Sequence, residues 1–278
     1  MERIDEEDFL SFQAFFYRKT GIHFDLSKRY FVDKRLLERI EATGSGSFKA
    51  YLMLLRNEAS GRELQALTNS LTVNETYFFR EEHQFRCLVN SILAEVIAHK
   101  ARGTPIRIWS LPSSSGEEPY SIALYLLEFW PALQTWDVEI LASDIDTNIL
   151  AQAQRGLFSA RSVQHLPAAL LRRYFTATRE GFQLCDDVLH AVTFTRVNLA
   201  DAVDTHAYRN FDVVFCRNLL IYFDDLSRRQ AATTLFDAMA PGGFLCLGHS
   251  ESMSRISSLF SVRKFPEAIV YQKPREPL

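Results

Sequence analysis

The chain has 278 residues, 47% hydrophobic and 23% charged, a globular balance with room for roughly two domains of about 100 to 200 residues each. A net charge of -3 argues against a general nucleic-acid or anionic-membrane binder, and no apolar run approaches the roughly 18 residues that span a bilayer. The acidic start (Glu2, Asp5, Glu6, Glu7, Asp8) is the opposite of a cationic signal peptide, so a cytoplasmic location is expected.

Residues 1–72 read as helices. Phe9, Phe12, Phe16 and Leu52, Leu55 recur at helical spacing, with turn signals at Gly21, Gly44-Ser45-Gly46 and Ser60-Gly61. From about residue 83 a different grammar begins. A helix over 85–99 gives way to short apolar strands at 106–110, 138–143, 211–216 and 244–248, each expected to lead into a turn and a helix. That alternation predicts βαβ units in a mostly parallel sheet. The run 268–272 has room only for a tight return, which points to antiparallel pairing. Residues 157–197 break the alternation and read as a small antiparallel β-subdomain inserted on the main sheet, and the tail from Lys273 reads as loose. The four cysteines (Cys87, Cys185, Cys216, Cys246) contain no CxxC pair and the seven histidines are scattered, so no metal and no disulfide framework is expected.

In such sheets, ligands bind beyond the carboxyl ends of the strands, near the switch in strand order. The first strand ends in a run of small residues, Ser113-Ser114-Ser115-Gly116, that opens a helix at Glu117-Glu118. Small residues let backbone approach a ligand closely, although Ser115 and Glu118 also fit an S-x-x-E capping box. The second strand ends at Asp144-Ile145-Asp146. A carboxylate there has two oxygens for two vicinal ribose hydroxyls, and Asp146 reads as a helix cap. Two denser cassettes are Asn74-Glu-Thr-Tyr-Phe-Phe-Arg80-Glu81, at the junction of the two regions, and 215–224 (FCRNLLIYFD), where polar Arg217 and Asn218 end an apolar strand.

Together NETYFFRE, WS…SSGEEPYSIA, ASDID, VNL, FCRNLLIYFD and PGGFLCLGHSE resemble the chemotaxis receptor glutamate methyltransferases of the CheR type, over residues 5 to 273. The resemblance implies an all-helical receptor-recognition domain (1–72). It also implies a Rossmann-like class I methyltransferase domain (73–278) with a β-subdomain at about 157–197. The cofactor would be S-adenosylmethionine, the product S-adenosylhomocysteine, and no metal would take part. On matching positions it implies that Asn74, Thr76 and Arg80 lie along the methionine end of the cofactor and that Glu118 contacts it from its helix. Asp144 would hold the ribose, Asn198 and Leu199 flank the adenine, and Asn218 and Leu219 line the site. Arg80 and Tyr222 would face the methyl group and the substrate carboxylate.

Leu111-Pro112-Ser113 stands where family members carry Ala-Gly-Cys or Ala-Ala-Ala-like residues. A rival reading is therefore a cofactor- and receptor-binding regulator with weakened turnover; another is a methyltransferase for a different substrate. On a helix predicted over 26–41, Lys28, Arg35 and Arg39 fall within about 20° of one line at roughly 100° per residue, with Leu26, Tyr30 and Leu37 opposite. Such a stripe is usually a solvated face, but it also suits a glutamate-rich receptor helix. The expected partner is the cytoplasmic helical region of chemotaxis-type receptors, bound by a monomer. Some family members grip a receptor tail peptide through a longer glycine-containing β-subdomain loop. Here Thr178-Arg179-Glu180-Gly181-Phe182 reads as a tight connection, so no tail tether is expected.

Overall fold

The structure, a computed structural model, describes residues 4–275. Asp5 starts the first helix, α1 (Glu6–Thr20), by accepting the Asp8 N–H at 2.7 Å, and Gly21 ends it in the left-handed conformation, the usual C-terminal signal. Helices α2 (Arg29–Thr43), α3 (Phe48–Asn57) and α4 (Arg62–Leu71) follow. They enclose a core of Phe9, Phe12, Phe16, Val32, Leu36, Tyr51 and Leu67.

The helix expected over 26–41 is two pieces. Asp25 caps a 3-10 turn, Leu26–Lys28, and only then does α2 begin. The buried stripe of α2 is Val32 and Leu36, about a sixth of a turn from the basic line and about a third of a turn from its expected apolar opposite. Tyr30 and Leu26 are accordingly 83% and 56% exposed, contrary to the expected packing side. The phase shifts because aliphatic side chains at positions 32 and 36 dock on the core while the Tyr30 hydroxyl stays in water.

The second region opens with α5 (His83–Cys87), a π turn (Leu88–Ile92) and α6 (Leu93–His99). On either side of the π turn and through it, Phe85, Leu88, Ile92, Leu93 and Val96 are all buried. Next come β1 (Ile106–Ser110), α7 (Glu117–Phe129), β2 (Val138–Asp144) and α8 (Thr147–Arg155). The inserted unit holds β3 (Leu157–Phe158), α9 (Ala160–Val163), α10 (Ala168–Tyr174), β4 (Phe175–Ala177), β5 (Phe182–Leu184) and α11 (Asp186–Leu189). The chain closes with β6 (Val192–Arg196), α12 (Ala202–Thr205), β7 (Phe211–Cys216), α13 (Asp225–Ala238), β8 (Met239–Leu247), β9 (Ser261–Lys264) and β10 (Ile269–Gln272).

Seven strands form the main sheet in the order β6-β2-β1-β7-β8-β10-β9. All neighbours from β6 to β8 are parallel, and β10 runs antiparallel to β8 and β9. The antiparallel return expected at 268–272 is β10; β9, short and polar, gave no clear signal. The small sheet β3-β5-β4 is antiparallel but ends at Leu184. The segment around 192–197, expected within the insertion, is instead β6, an edge strand parallel to β2. Its half-polar pattern is that of an edge.

Successive residues of β7 face opposite cores. Val213 and Phe215 join Ile108, Phe85 and Tyr125 on one side, while Val214 and Cys216 join Trp109, Leu235 and Leu247 on the other. A strand covered on both faces is largely apolar; every residue of β7 is buried, and its one charged member, Asp212, pairs with Lys100 at 2.7 Å. All four cysteines are free. Lys273, expected to begin a loose tail, is tied by its N–H to the Gly243 carbonyl (2.9 Å) and by its Nζ to the carbonyls of Phe236 and Met239 (2.7 and 2.9 Å); positions 276–278 lie outside the described residues.

The two regions are sewn together. Tyr17 donates to Asp224 (3.0 Å) and accepts from Ser227 (3.1 Å), Gln65 donates to the Ile145 carbonyl (2.8 Å), and Asn69 exchanges two bonds with Thr147. The His23 N–H donates to the Tyr222 carbonyl (3.2 Å), beside a β-bridge between Ile22 and Phe223.

Candidate active site

Strand β1 has β2 on one side and β7 on the other, so the switch in strand order falls at the carboxyl ends of these three strands. The loop after β1 is fixed there by its own backbone. Leu111 N–H donates to Phe215 O (2.9 Å), Ser113 N–H to Ser143 O (2.8 Å), and Ser114 N–H to Asp144 Oδ2 (2.9 Å). Pro112, which has no N–H, thus sits between two anchored residues.

Asp144 is 4% exposed. Its second oxygen accepts the Asp146 N–H at 2.9 Å. Burial raises its pKa from 3.8 to about 6, against the pull of these N–H donors. Beside it, the Ser113 and Ser114 hydroxyls are buried and, among the described residues, have no partner. A buried carboxylate and two orphaned hydroxyls are groups that a polyhydroxylated ligand would satisfy. Leu111, Pro112, Asp144, Asn198, Leu199 and Leu219 line one cavity with Thr20, Ile22 and Phe223. Four of the sequence-predicted residues, Asp144, Asn198, Leu199 and Leu219, therefore meet in one space. The Asn198 side chain is already engaged, donating to Lys19 O (2.6 Å) and accepting from Ala200 N–H (3.1 Å).

The capping box does not form. Helix α7 starts at Gly116 in the left-handed conformation, and Ser115 bonds Glu117 instead. Glu118 faces inward, where Oε1 accepts from Ser110 Oγ (2.8 Å) and Oε2 from Arg217 (2.9 Å). Arg217, 4% exposed, also reaches Glu81 (3.2 Å) and donates to the Arg80 carbonyl (2.7 Å). Burial raises the Glu118 pKa, with Arg217 opposing; for Glu81 burial pushes upward but Arg217 and His249 outweigh it. Asp146 caps α8 through Oδ1, as expected, while Oδ2 accepts from Thr72 (2.7 Å) and Asn74 (2.9 Å). Asn74 is thereby held to the loop after β2. Thr76 is half-buried on the same stretch.

Arg80 donates to the Glu75 carbonyl (2.7 Å) and lies 5.9 Å from the centre of the Tyr77 ring. Tyr222 ends the 3-10 turn Leu220–Tyr222 after β7 and is 38% exposed. Burial raises its pKa, and the Arg80 charge works against that, so the guanidinium and the phenol share one electrostatic neighbourhood. Asn218 faces away from the cavity, with its side chain against Gly248.

The basic line divides. Lys28 is exposed. Arg35 pairs with Glu38 at 2.8 Å. Arg39 makes a two-pronged pair with Glu63 (2.9 and 2.6 Å), whose carboxylate also accepts from Tyr51 (2.6 Å), so its charge is spent inside the helical bundle. Among the described residues no group of three or more His, Cys, Asp or Glu could hold a metal ion, and no helix is long and apolar enough to cross a membrane.

Two family models match the chain: "CheR methyltransferase, SAM binding domain" over residues 74–269, and "CheR methyltransferase, all-alpha domain" over residues 7–72. The chain belongs to the CheR methyltransferase family. It is 55% identical to chemotaxis protein methyltransferase 2 of Vibrio cholerae, across 98% of this chain and 95% of that one. It is 34% identical to the chemotaxis protein methyltransferase of Escherichia coli, across 94% and 89%. The fold is the expected one, an all-helical unit before a methyltransferase sheet carrying a small antiparallel sheet. Sequence reading gave no role to Arg217 and Glu81. The signal was a charged residue directly after the apolar run 213–216.

Proposed function

We propose that this protein transfers a methyl group from S-adenosylmethionine to glutamate side chains of chemotaxis-type receptors, giving methyl esters and S-adenosylhomocysteine. The observation that carries this is the pairing of two sites at one sheet edge. One is the cavity lined by buried Asp144, beside which the Ser113 and Ser114 hydroxyls have no partner among the described residues; the other is the Arg80–Tyr222 neighbourhood.

In this reading Asp144 takes the ribose hydroxyls, Asn198 and Leu199 flank the adenine, and Leu219 packs beside it. Asn74, Thr76, Arg80 and Glu118 run along the amino-acid portion. The cofactor supplies a sulfonium-activated methyl with a good leaving group. A glutamate side chain, with an ordinary pKa near 4.3, is already an ionised nucleophile at neutral pH, so no general base is needed. Tyr222, its pKa raised above 10.0, stays a protonated phenol and serves as a hydrogen-bond donor. Arg80 orients the incoming carboxylate. Orientation of this kind contributes up to roughly 7 to 11 kcal/mol.

Receptor recognition falls to the helical unit (1–72) and transfer to the rest (73–278), in a monomer acting in the cytoplasm. Lys28 and Arg35 meet the acidic receptor helix, while Arg39 braces the surface behind them. The hairpin between β4 and β5 is closed by Thr178, whose N–H donates to Gly181 O (2.7 Å), which leaves little edge for an added tail strand.

The test is incubation with methyl-labelled S-adenosylmethionine and receptors from the same organism. Receptor-bound label should be released as methanol by mild base, as for an ester. Failure of the wild-type protein to label any receptor would overturn the reading.

A further inference from the structure

After β7 the chain turns through Asn218, a non-glycine residue at φ 59°, and then Leu219 at φ -107°, ψ -47°. A left-handed residue followed by a right-handed one turns successive N–H groups to one side and makes a concave anion site. Here the concavity is filled from within the chain. Glu251 Oε2 accepts the N–H groups of Asn218 (2.8 Å) and Gly248 (2.9 Å), and Oε1 accepts that of Leu220 (2.8 Å). The Ile221 N–H also bears on this carboxylate, and burial raises its pKa against these donors. The knot is tight: a Cβ at Gly248 would lie 2.8 Å from Asn218 Nδ2 and 3.0 Å from Glu251 Oε2.

We propose that Glu251 is a positioning residue for methyl transfer, its carboxylate serving as the built-in anion that sets the 218–222 backbone and so aims Leu219 into the cofactor cavity and Tyr222 at the reacting groups. This rests on the methyl-transfer reading above. Carboxylate acceptors make the stronger, shorter bonds to backbone N–H groups. Glutamine in its place keeps one acceptor oxygen and turns an NH2 against an N–H. On its other side Glu251 borders a cleft of about 520 Å³, lined also by His83, His249 and Tyr271, through which a small anion can reach the knot.

The test uses the full chain carrying Glu251→Gln or Glu251→Ala. Displacing a positioned group by about an ångström costs on the order of a hundredfold in rate, so kcat should fall by that order while S-adenosylhomocysteine binding changes far less. Amide exchange at Asn218, Leu220 and Gly248 should quicken in Glu251→Gln. Formate should slow that exchange in Glu251→Ala and restore part of its kcat, with no such gain in the wild type. Three results would each overturn the proposal: wild-type kcat in both variants, unchanged exchange at these amides, or general loosening of β7 and β8 without rescue by formate. The exchange measurement needs no receptor. It judges Glu251 even if the wild type transfers no methyl, an outcome that would instead sink the methyl-transfer reading.

Discussion

The guanidinium of Arg217 and the carboxylate of Glu118 form a buried ion pair, 2.9 Å from nitrogen to oxygen, where the end of β7 meets α7. The same guanidinium donates to the Arg80 carbonyl, so one buried cation fixes both a residue assigned to the cofactor and the backbone of a residue assigned to the substrate.

Arg217→Ala leaves Glu118 and Glu81 without their cation. Removing one partner of a buried pair costs about 3 to 5 kcal/mol, and urea unfolding should show a loss of that order. A change within about 1 kcal/mol, the range of surface pairs, would mean that the pair is energetically idle.

With Asp144 taking the ribose hydroxyls, as proposed, cofactor affinity should depend on pH. Its pKa is raised to about 6, so the folded apo-protein holds this proton more tightly than the unfolded chain does. Stability therefore declines as pH rises from about 4 through 6. Ribose hydroxyls donate to the ionised form, so S-adenosylhomocysteine should bind progressively more weakly below pH 6, by up to about tenfold per pH unit. Calorimetry should show proton release on binding near pH 6. Asp144→Asn should bind weakly at every pH, and an unchanged pH profile in that variant would remove Asp144 from the site.

Arg80→Ala should abolish methyl transfer with the circular dichroism spectrum unchanged. Tyr222→Phe should lower kcat more than it weakens cofactor binding, because only a donated hydrogen bond is lost. Near-normal turnover in Arg80→Ala would refute its assignment.

The three basic positions should part company. Glu at position 28 or 35 should impair receptor methylation while sparing cofactor binding and stability. Arg39→Glu should instead destabilise the helical unit by about 1 to 3 kcal/mol, the cost of stranding a buried charged hydrogen-bond partner; here the partner is Glu63, 8% exposed. Unchanged receptor methylation in Lys28→Glu/Arg35→Glu would make that face merely solvated.

No receptor tail peptide should bind the isolated protein measurably, and removing the tail should leave the methylation rate unaltered. Micromolar binding of such a peptide would contradict the short hairpin closed at Thr178.

The strand-ending residues were the most legible part of the molecule. Ser110, Asp144 and Cys216 each close an apolar run, and local pattern locates such ends. Asp144 could be named from its place at a strand end, whereas Asn198, Leu199 and Leu219 were named only through the resemblance carried by VNL and FCRNLLIYFD. Legibility failed where a long-range partner decides. Ser115 and Glu118 have capping-box spacing, but Arg217, which is 99 positions away from Glu118, claims the glutamate. Arg39 looks like its neighbours on a helical wheel until Glu63 and Tyr51 take its charge. Val192–Arg196 resembles the hairpin strands before it, and only pairing with β2 assigns it to the main sheet.

The contacts that sew the helices to the sheet also govern how the molecule comes apart. Tyr17, Asn69 and Gln65 belong to the bundle, yet their bonds end on Asp224, Thr147 and Ile145. Melting the bundle alone would strand those polar groups and strip cover from Ile22 and Phe223. Heating should therefore give a single calorimetric peak whose measured enthalpy equals the van't Hoff value for the whole chain.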